Sequence, residues 1–376
     1  MKQGKVPLKI LHIINSLYSG GAEKLLVDAV LKYNEMGLGS EVLVLNARRS
    51  YLYDTLANEP GIKLIHSTES KSVYSLKHIR TIRKLLPHYD IVHVHLFPSL
   101  YWVALANILS SKSDAKLILT EHSTNNKRRK KWFYGVVDRF LYKQFLHIVT
   151  ISESAENNLK KHLGPSYKNI TTINNGVDLE LIENAIPYSK SEFGLKDNDF
   201  VLIQVSGFRY PKDQITVINA LNLLPDNIHL LLVGDGIQLE PCRNFANLNE
   251  LSSRVHFLGL RSDVPRLLKT SDVAILSSEY EGLSLASVEG LVSGSPFIAT
   301  DVPGLREVVE NSGLLFPFGD HKRLAELILK LFKDKSFYQK TVESCLERAK
   351  HYDIQNMVNS YIALYKQAST KHEKNY

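Results

Sequence analysis

The sequence predicts an α/β protein built of two doubly wound parallel-sheet domains, and three observations carry that prediction. Short apolar runs alternate with amphipathic helical stretches through the first half, the mark of a parallel sheet covered by helices on both faces. The alternation starts again after a polar tract, IENAIPYSKSEFGLKDND, which holds Pro187 and Gly194 and reads as a linker. At 376 residues the chain is also too long for one ordinary core.

In the first half the strand candidates are KILHII, EVLVLN, IKLIH, DIVHVHL, KLILTEH, HIVTIS and ITTINNGVD. In the second they are FVLIQVS, HLLLVGD, RVHFLGL, DVAILSS, PFIATD and SGLLFP. Two amphipathic helices, KDKSFYQKTVESCLERAK and DIQNMVNSYIALYKQ, then follow with no strand between them. The expected domains are therefore residues 1–185 and 186–350, with 351–376 as a helix that packs back on the first domain.

Composition narrows the class. A chain with 44% hydrophobic and 23% charged residues is globular and ordered. No apolar run approaches the roughly 20 residues of a membrane span, and the polar start MKQGKVPLK lacks a signal-peptide core. The expectation is a cytoplasmic protein. Cys242 and Cys345 offer neither a disulfide framework nor metal spacing. The net charge of +7 is uneven, +9 over residues 1–185 and −2 over the remainder. The basic half should attract an anion: phospholipid, nucleic acid or a phosphorylated substrate.

The chemistry concentrates in EGLSLASVE. Glu281 sits in a loop beside a Gly-Leu-Ser turn, and Glu289 lies in an apolar run, Leu285 to Val292, that reads as a helix. Eight helical residues advance about 12 Å and rotate only about 80° beyond full turns, so both carboxylates can address one extended ligand. Free backbone N–H groups between them can hold an anionic middle. A nucleotide sugar has that shape. In VSGFRYPKDQ, Arg209 and Lys212 stand where a strand opens into a helix and can neutralise a diphosphate.

Other residues carry weaker signals. Gly20 and Gly21 allow close backbone approach at a helix mouth, which suits a phosphate or a simple tight turn equally. No G-x-G-x-x-G occurs, and GDGIQL at 234–239 places Leu239 where the last glycine would be. His93 and His95 share a strand face, but with no carboxylate or Cys partner in sequence, packing is favoured over zinc. His122 ends a strand and can donate to a sugar hydroxyl or to the reacting centre, although a strand-end histidine taken alone is more often structural. Lys127, Arg128, Arg129, Lys130 and Lys131 run into Trp132 and an amphipathic helix, which suits an anionic bilayer slightly better than a solvated loop. No nucleic-acid motif accompanies them. Asp197-Asn198-Asp199 reads as a turn rather than a metal motif.

Assembled, these residues resemble the family-4 glycosyltransferases, retaining enzymes of the GT-B fold, in which two Rossmann-like domains face each other across a cleft. The resemblance runs through GGAE (20–23), DIVHVH (90–95), TEH (120–122), NNGVD (174–178), VGDG (233–236), FLGLRSDVPRLL (257–268) and the Glu-x7-Glu motif with its continuation VSGSPFIATDVPGLREVV. It implies that Glu289 binds the ribose and Glu281 the donor sugar. Arg209 and Lys212 would hold the diphosphate, helped by backbone N–H groups of Gly282, Leu283, Ser284 and Leu285, and His122 would touch the sugar near its reacting carbon. Gly20 and Gly21 would line the acceptor and phosphate side. One position departs from the family pattern: many members carry an Arg where this chain has Gly207, and the nearest Arg here is Arg209.

The implied reaction moves a sugar from a nucleotide diphosphate, UDP being favoured because the family commonly uses it, to an acceptor hydroxyl with retention. It needs no metal and no cofactor. The acceptor would be a sugar or lipid-linked sugar in surface polysaccharide or glycolipid assembly, with the enzyme peripheral on the inner face of the plasma membrane. The rival readings are a sugar-nucleotide epimerase on the same fold, a non-catalytic sugar-nucleotide-binding subunit, and a nicotinamide-dependent oxidoreductase, against which the missing glycine fingerprint argues.

Overall fold

The structure is a computed structural model that describes residues 8–18, 20–67, 72–110, 113–122, 132–164 and 167–370. Every strand candidate contains a strand, because parallel strands buried on both faces must be apolar along their whole length. The chain separates into two compact units, residues 1–175 with 354–376, and residues 176–353.

The first unit opens with β1 (Ile10–Ser16), α1 (Gly21–Glu35), β2 (Ser40–Asn46), α2 (Tyr51–Asn58) and β3 (Lys63–His66). It continues through α3 (His78–Leu85), β4 (Ile91–His95), α4 (Ser99–Ile108), β5 (Lys116–Glu121) and α5 (Trp132–Tyr142). β6 (His147–Thr150), α6 (Glu153–Leu163) and β7 (Ile170–Thr172) complete its sheet, whose order is β3-β2-β1-β4-β5-β6-β7. All the pairings are parallel. The winding reverses between β1 and β4, the position where such sheets hold ligands.

The second unit runs through α7 (Leu179–Glu183), β8 (Phe200–Val205), α8 (Gln214–Ala220), β9 (Ile228–Val233), α9 (Leu239–Leu248) and β10 (Val255–Gly259). Then come α10 (Val264–Thr270), β11 (Val273–Leu276), α11 (Leu285–Val292), β12 (Phe297–Thr300), α12 (Arg306–Val309) and β13 (Leu314–Phe316). α13 (His321–Lys333) and α14 (Lys335–Ala349) close it. The strand order is β10-β9-β8-β11-β12-β13, so its winding reverses between β8 and β11.

One boundary moves. The expected linker is docked on the second unit, which begins at Gly176 rather than 186. α7 packs on α10 and α11. Tyr188 donates its backbone N–H to Thr270 Oγ1 at 2.8 Å and lies under the Arg266 guanidinium, 3.7 Å from its ring centroid. Lys190 reaches the Asp272 carboxylate at 2.9 Å. Polar composition marks surface, but surface residues can still be fixed by hydrogen bonds. Asp199 likewise belongs to a turn, where its Oδ2 accepts from the Lys196 N–H at 2.7 Å.

α15 (Ile354–Thr370) returns to the first unit. The Tyr361 hydroxyl lies 3.0 Å from Thr120 Oγ1, and the Tyr365 hydroxyl lies 2.7 Å from His93 Nδ1. Both cysteines are buried and free. Among the described residues no helix is long and apolar enough to cross a membrane.

Candidate active site

The second unit gathers its polar side chains where the winding reverses. β8 and β11 are hydrogen-bonded neighbours, in register at Leu202↔Val273 and Ile203↔Ala274, so the loops that leave their carboxyl ends run side by side. Those loops are sewn together. Asp213 N–H donates to Ser277 O at 3.1 Å, Glu279 N–H to Pro211 O at 2.9 Å, and Ser278 Oγ to Pro211 O at 3.2 Å. Asp213 also caps α8 by accepting from Thr216 N–H at 3.1 Å, and its other oxygen accepts from Ser277 Oγ at 3.0 Å. One carboxylate thus fixes a helix start and a strand end together.

This frame brings Lys212 and Glu281 into an ion pair, Nζ to Oε1, with side chains only 16% and 13% exposed. A half-buried pair has less water to screen it than a surface pair, so each partner holds the other in place.

Arg209 supplies a second cation. It is exposed, and among the described residues its guanidinium has no ion-pair partner. The side chain folds back over Gly207, its Nε 3.5 Å from where a Cβ at that position would lie. The charge is therefore carried by residue 209 over the space beside residue 207. Close approach by the β9 loop completes this wall. A Cβ on Gly234 would sit 2.1 Å from Ser206 O, and one on Gly236 would sit 2.4 Å from Phe208 O. Both glycines also hold positive φ, at 141° and 150°. The VGDG stretch is glycine-rich because backbone packs on backbone here.

Glu281 precedes α11, and a second glycine holds its loop. Gly304, at φ 89°, would bring a Cβ within 2.3 Å of Glu281 O and 2.4 Å of Gly282 O. Ser284 is the N-cap of α11 without a side-chain cap bond, and Ser287 Oγ turns back to donate to Ser284 O at 2.6 Å. Glu289, on the second turn of the helix, is 6% exposed.

The remaining candidates lie in the first unit. His122 follows β5, half-buried, with its Nε2 3.2 Å from His95 Nδ1. Burial pushes its pKa down to about 4. His93 and His95 do share a face, and the register pairs His12 on β1 with His93 on β4, which adds a third buried imidazole. Sequence reasoning missed His12, since its mid-strand position gains meaning only once β1 pairs with β4. Gly20 is the N-cap of α1, and a Cβ there would meet the Glu23 carboxylate at 2.2 Å. The α1 amino end thus has its own acid close by, so a bound phosphate would meet that carboxylate. A Cβ on Gly21 would meet nothing within 4 Å. Lys127 to Lys131 lie outside the described residues, as does the side chain of Trp132 at the start of α5.

Two doubly wound parallel sheets, one with paired cations and acids at its reversal point, define a glycosyltransferase of the GT-B fold. Comparison with known proteins makes this specific. Residues 19–181 match the profile described as Glycosyltransferase Family 4, and residues 186–351 match Glycosyl transferases group 1. The chain belongs to the family-4 glycosyltransferases.

Among its relatives is the N-acetyl-alpha-D-glucosaminyl L-malate synthase of Bacillus anthracis, 28% identical over 73% of this chain and 74% of that protein. Another is the UDP-Gal:alpha-D-GlcNAc-diphosphoundecaprenol alpha-1,3-galactosyltransferase of Escherichia coli, 28% identical over 70% of this chain and 72% of that one. Anabaena HepE, solved in complex with UDP and glucose, superposes with a TM-score of 0.83 at 22% identity, covering 96% of this chain and 99% of HepE.

Proposed function

We propose that this chain transfers a sugar from a nucleotide diphosphate, UDP by preference, to an acceptor hydroxyl with retention of anomeric configuration. The observation that carries this reading is the Lys212–Glu281 pair at the β8/β11 reversal point, with the Arg209 guanidinium over Gly207 beside it. The UDP and glucose bound by HepE and the UDP-galactose named for the E. coli relative support the choice of donor.

In this reading Arg209 and Lys212 bind the diphosphate, together with the N–H groups at the start of α11. Glu289 takes the ribose hydroxyls. Glu281 orients Lys212 and binds sugar hydroxyls as well. His122 contacts the sugar near its reacting carbon. Charge builds on the diphosphate as the glycosidic bond stretches toward an oxocarbenium-like state, and fixed cations stabilise it without a metal at this site. The acceptor attacks from the face the diphosphate leaves, and a diphosphate oxygen takes its proton. The two glutamates position the donor and act as neither nucleophile nor acid.

The acceptor is a growing surface polysaccharide or glycolipid, by analogy with the lipid-diphosphate substrate in the E. coli relative's name. Contact with an anionic membrane is supported by α5, which exposes Val136, Val137 and Phe140 just after the basic run at 127–131.

The test is a thermal-shift screen of nucleotide sugars, followed by turnover assays with the donor found. A donor present at about 100 times its Kd should add about 2.7 kcal/mol of stability. No stabilisation by any nucleotide sugar would refute the reading. Vesicle co-sedimentation tests the membrane part separately: no binding to anionic vesicles at low salt removes it.

A further inference from the structure

Four histidines meet where the winding of the first sheet reverses, and the reaction above uses only one of them. His12, His93 and His95 are 1%, 1% and 5% exposed. The rings of His93 and His95 lie 4.2 Å apart between centroids, and those of His12 and His93 lie 5.3 Å apart. One nitrogen from each of the three falls within 4.8 Å of the other two. A cavity of about 20 Å³ is lined by these rings together with His122, Tyr33 and Tyr361.

The hydrogen bonding around them is incomplete. His12 Nδ1 stands 3.3 Å from His95 Nε2, and His95 Nδ1 stands 3.2 Å from His122 Nε2. Each link in this chain needs one ring to donate and the next to accept. Whichever way the protons run, His12 Nε2 is left buried with no hydrogen-bond partner.

We propose that His12, His93 and His95 bind one divalent transition-metal ion, Zn²⁺ by preference. Tetrahedral zinc with Zn–N bonds of about 2.0–2.1 Å sets its ligand nitrogens about 3.3 Å apart. The gap of 3.3 Å between His12 and His95 already matches that edge. An all-imidazole donor set selects Zn²⁺, Cu²⁺ or Ni²⁺ over Mg²⁺ and Ca²⁺, which want oxygen. The cavity has room for one water-sized species, enough for the ion or its remaining ligand.

Outer partners are already in place. His93 Nδ1 stands 2.7 Å from the Tyr365 hydroxyl and its Nε2 stands 2.7 Å from Thr120 Oγ1, so coordination displaces one of these hydroxyls and leaves the other hydrogen-bonded. With His95 ligating through Nε2, its Nδ1–H donates to His122. The ion ties β1 to β4 and, through His93, to α15. Its role is to hold the first unit together, and the donor site in the second unit is independent of it.

The experiment uses the full-length chain with any affinity tag removed, stripped with chelator and titrated with Zn²⁺, Co²⁺ or Mg²⁺ alone. The expected result is one Zn²⁺ per chain, a raised Tm, the intense visible bands of tetrahedral Co²⁺, and no response to Mg²⁺. His12→Asn should weaken Zn²⁺ binding about 100-fold, while His229→Asn, far from the cluster in sequence, should leave it unchanged. X-ray absorption on the zinc-loaded wild type avoids any folding defect in the variant and should count three imidazoles. Fewer than three, no tetrahedral Co²⁺ spectrum, or the same affinity in His12→Asn would each overturn the proposal. The first two would show that the cavity holds only water.

Discussion

The two units order their strands alike, yet each fills its reversal point with a different chemistry. In the first, β1 and β4 present His12, His93 and His95, all buried, neutral and closed over by α1 and α15. In the second, β8 and β11 lead into loops that carry Lys212, Glu281 and Arg209, charged and reachable from solvent. The difference is whether the polar residues stand on the strands or beyond their carboxyl ends. Imidazoles within a strand are committed to the sheet interior, whereas cations and carboxylates on the outgoing loops can turn toward a ligand. A doubly wound sheet fixes a location, and the loops decide whether that location is core or site.

The contrast can be broken by adding a side chain where the second unit packs backbone on backbone. Gly234→Ala puts a Cβ 2.1 Å from Ser206 O at a φ of 141°, a conformation that L residues resist. Steric overlap and backbone strain together should cost about 4 kcal/mol. Urea denaturation followed by a probe in the second unit measures it, and a loss below about 1 kcal/mol would show that the loop relaxes freely.

Removing the charge is expected to have the next largest effect. Lys212→Ala should lower kcat/KM by about 100-fold or more, the loss of about 3 kcal/mol of transition-state stabilisation. Glu281→Ala should lower it as well, and the double variant should fall short of the product of the two, because the pair acts as a unit. Full additivity in steady-state kinetics would mean that the ion pair has no part in turnover.

A smaller effect sharpens the assignment within the site. Glu289→Gln keeps shape but loses the anion that accepts ribose hydroxyls, so KM for the donor should rise about 10-fold with kcat little changed. A fall in kcat alone would point instead to chemistry at this carboxylate.

The smallest prediction concerns pH and the histidines of the second unit. His229 Nδ1 and His256 Nε2 are 3.3 Å apart, and desolvation lowers the pKa of both. The unfolded chain therefore takes up protons first as pH drops below about 6.5. Stability from these two groups is fully present above that value and is lost progressively below it. Thermal melts at about pH 7.5 and about pH 5.5 should show a smaller acid-induced drop in His256→Gln than in wild type. An identical drop would remove this pair from the acid response.

Much of the fold was legible because buried parallel strands leave continuous apolar runs. The Glu-x7-Glu stretch was legible for a related reason: Glu281 and Glu289 are local, eight positions apart on a loop and a helix. What escaped the sequence was non-local. The pairing of Lys212 with Glu281 spans 69 positions, and the meeting of His12 with His93 depends on which strands are neighbours. The unit boundary escaped because Tyr188 and Lys190 look like linker residues but are held by partners about 80 positions away. Gly207 illustrates the same limit: the Arg209 side chain folds back over it, a placement that no spacing rule describes.

The return of α15 to the first unit has a consequence for how the protein is made. Tyr365 meets His93 across 272 residues of chain. At about 5–20 residues per second, the ribosome takes roughly 14–54 s to travel between them. During that interval the second unit, which is continuous in sequence, emerges whole. The first must wait with the underside of β4 uncovered. The older half of the nascent chain is thus the last to be finished, and it is the half for which a chaperone or an early partner would matter most.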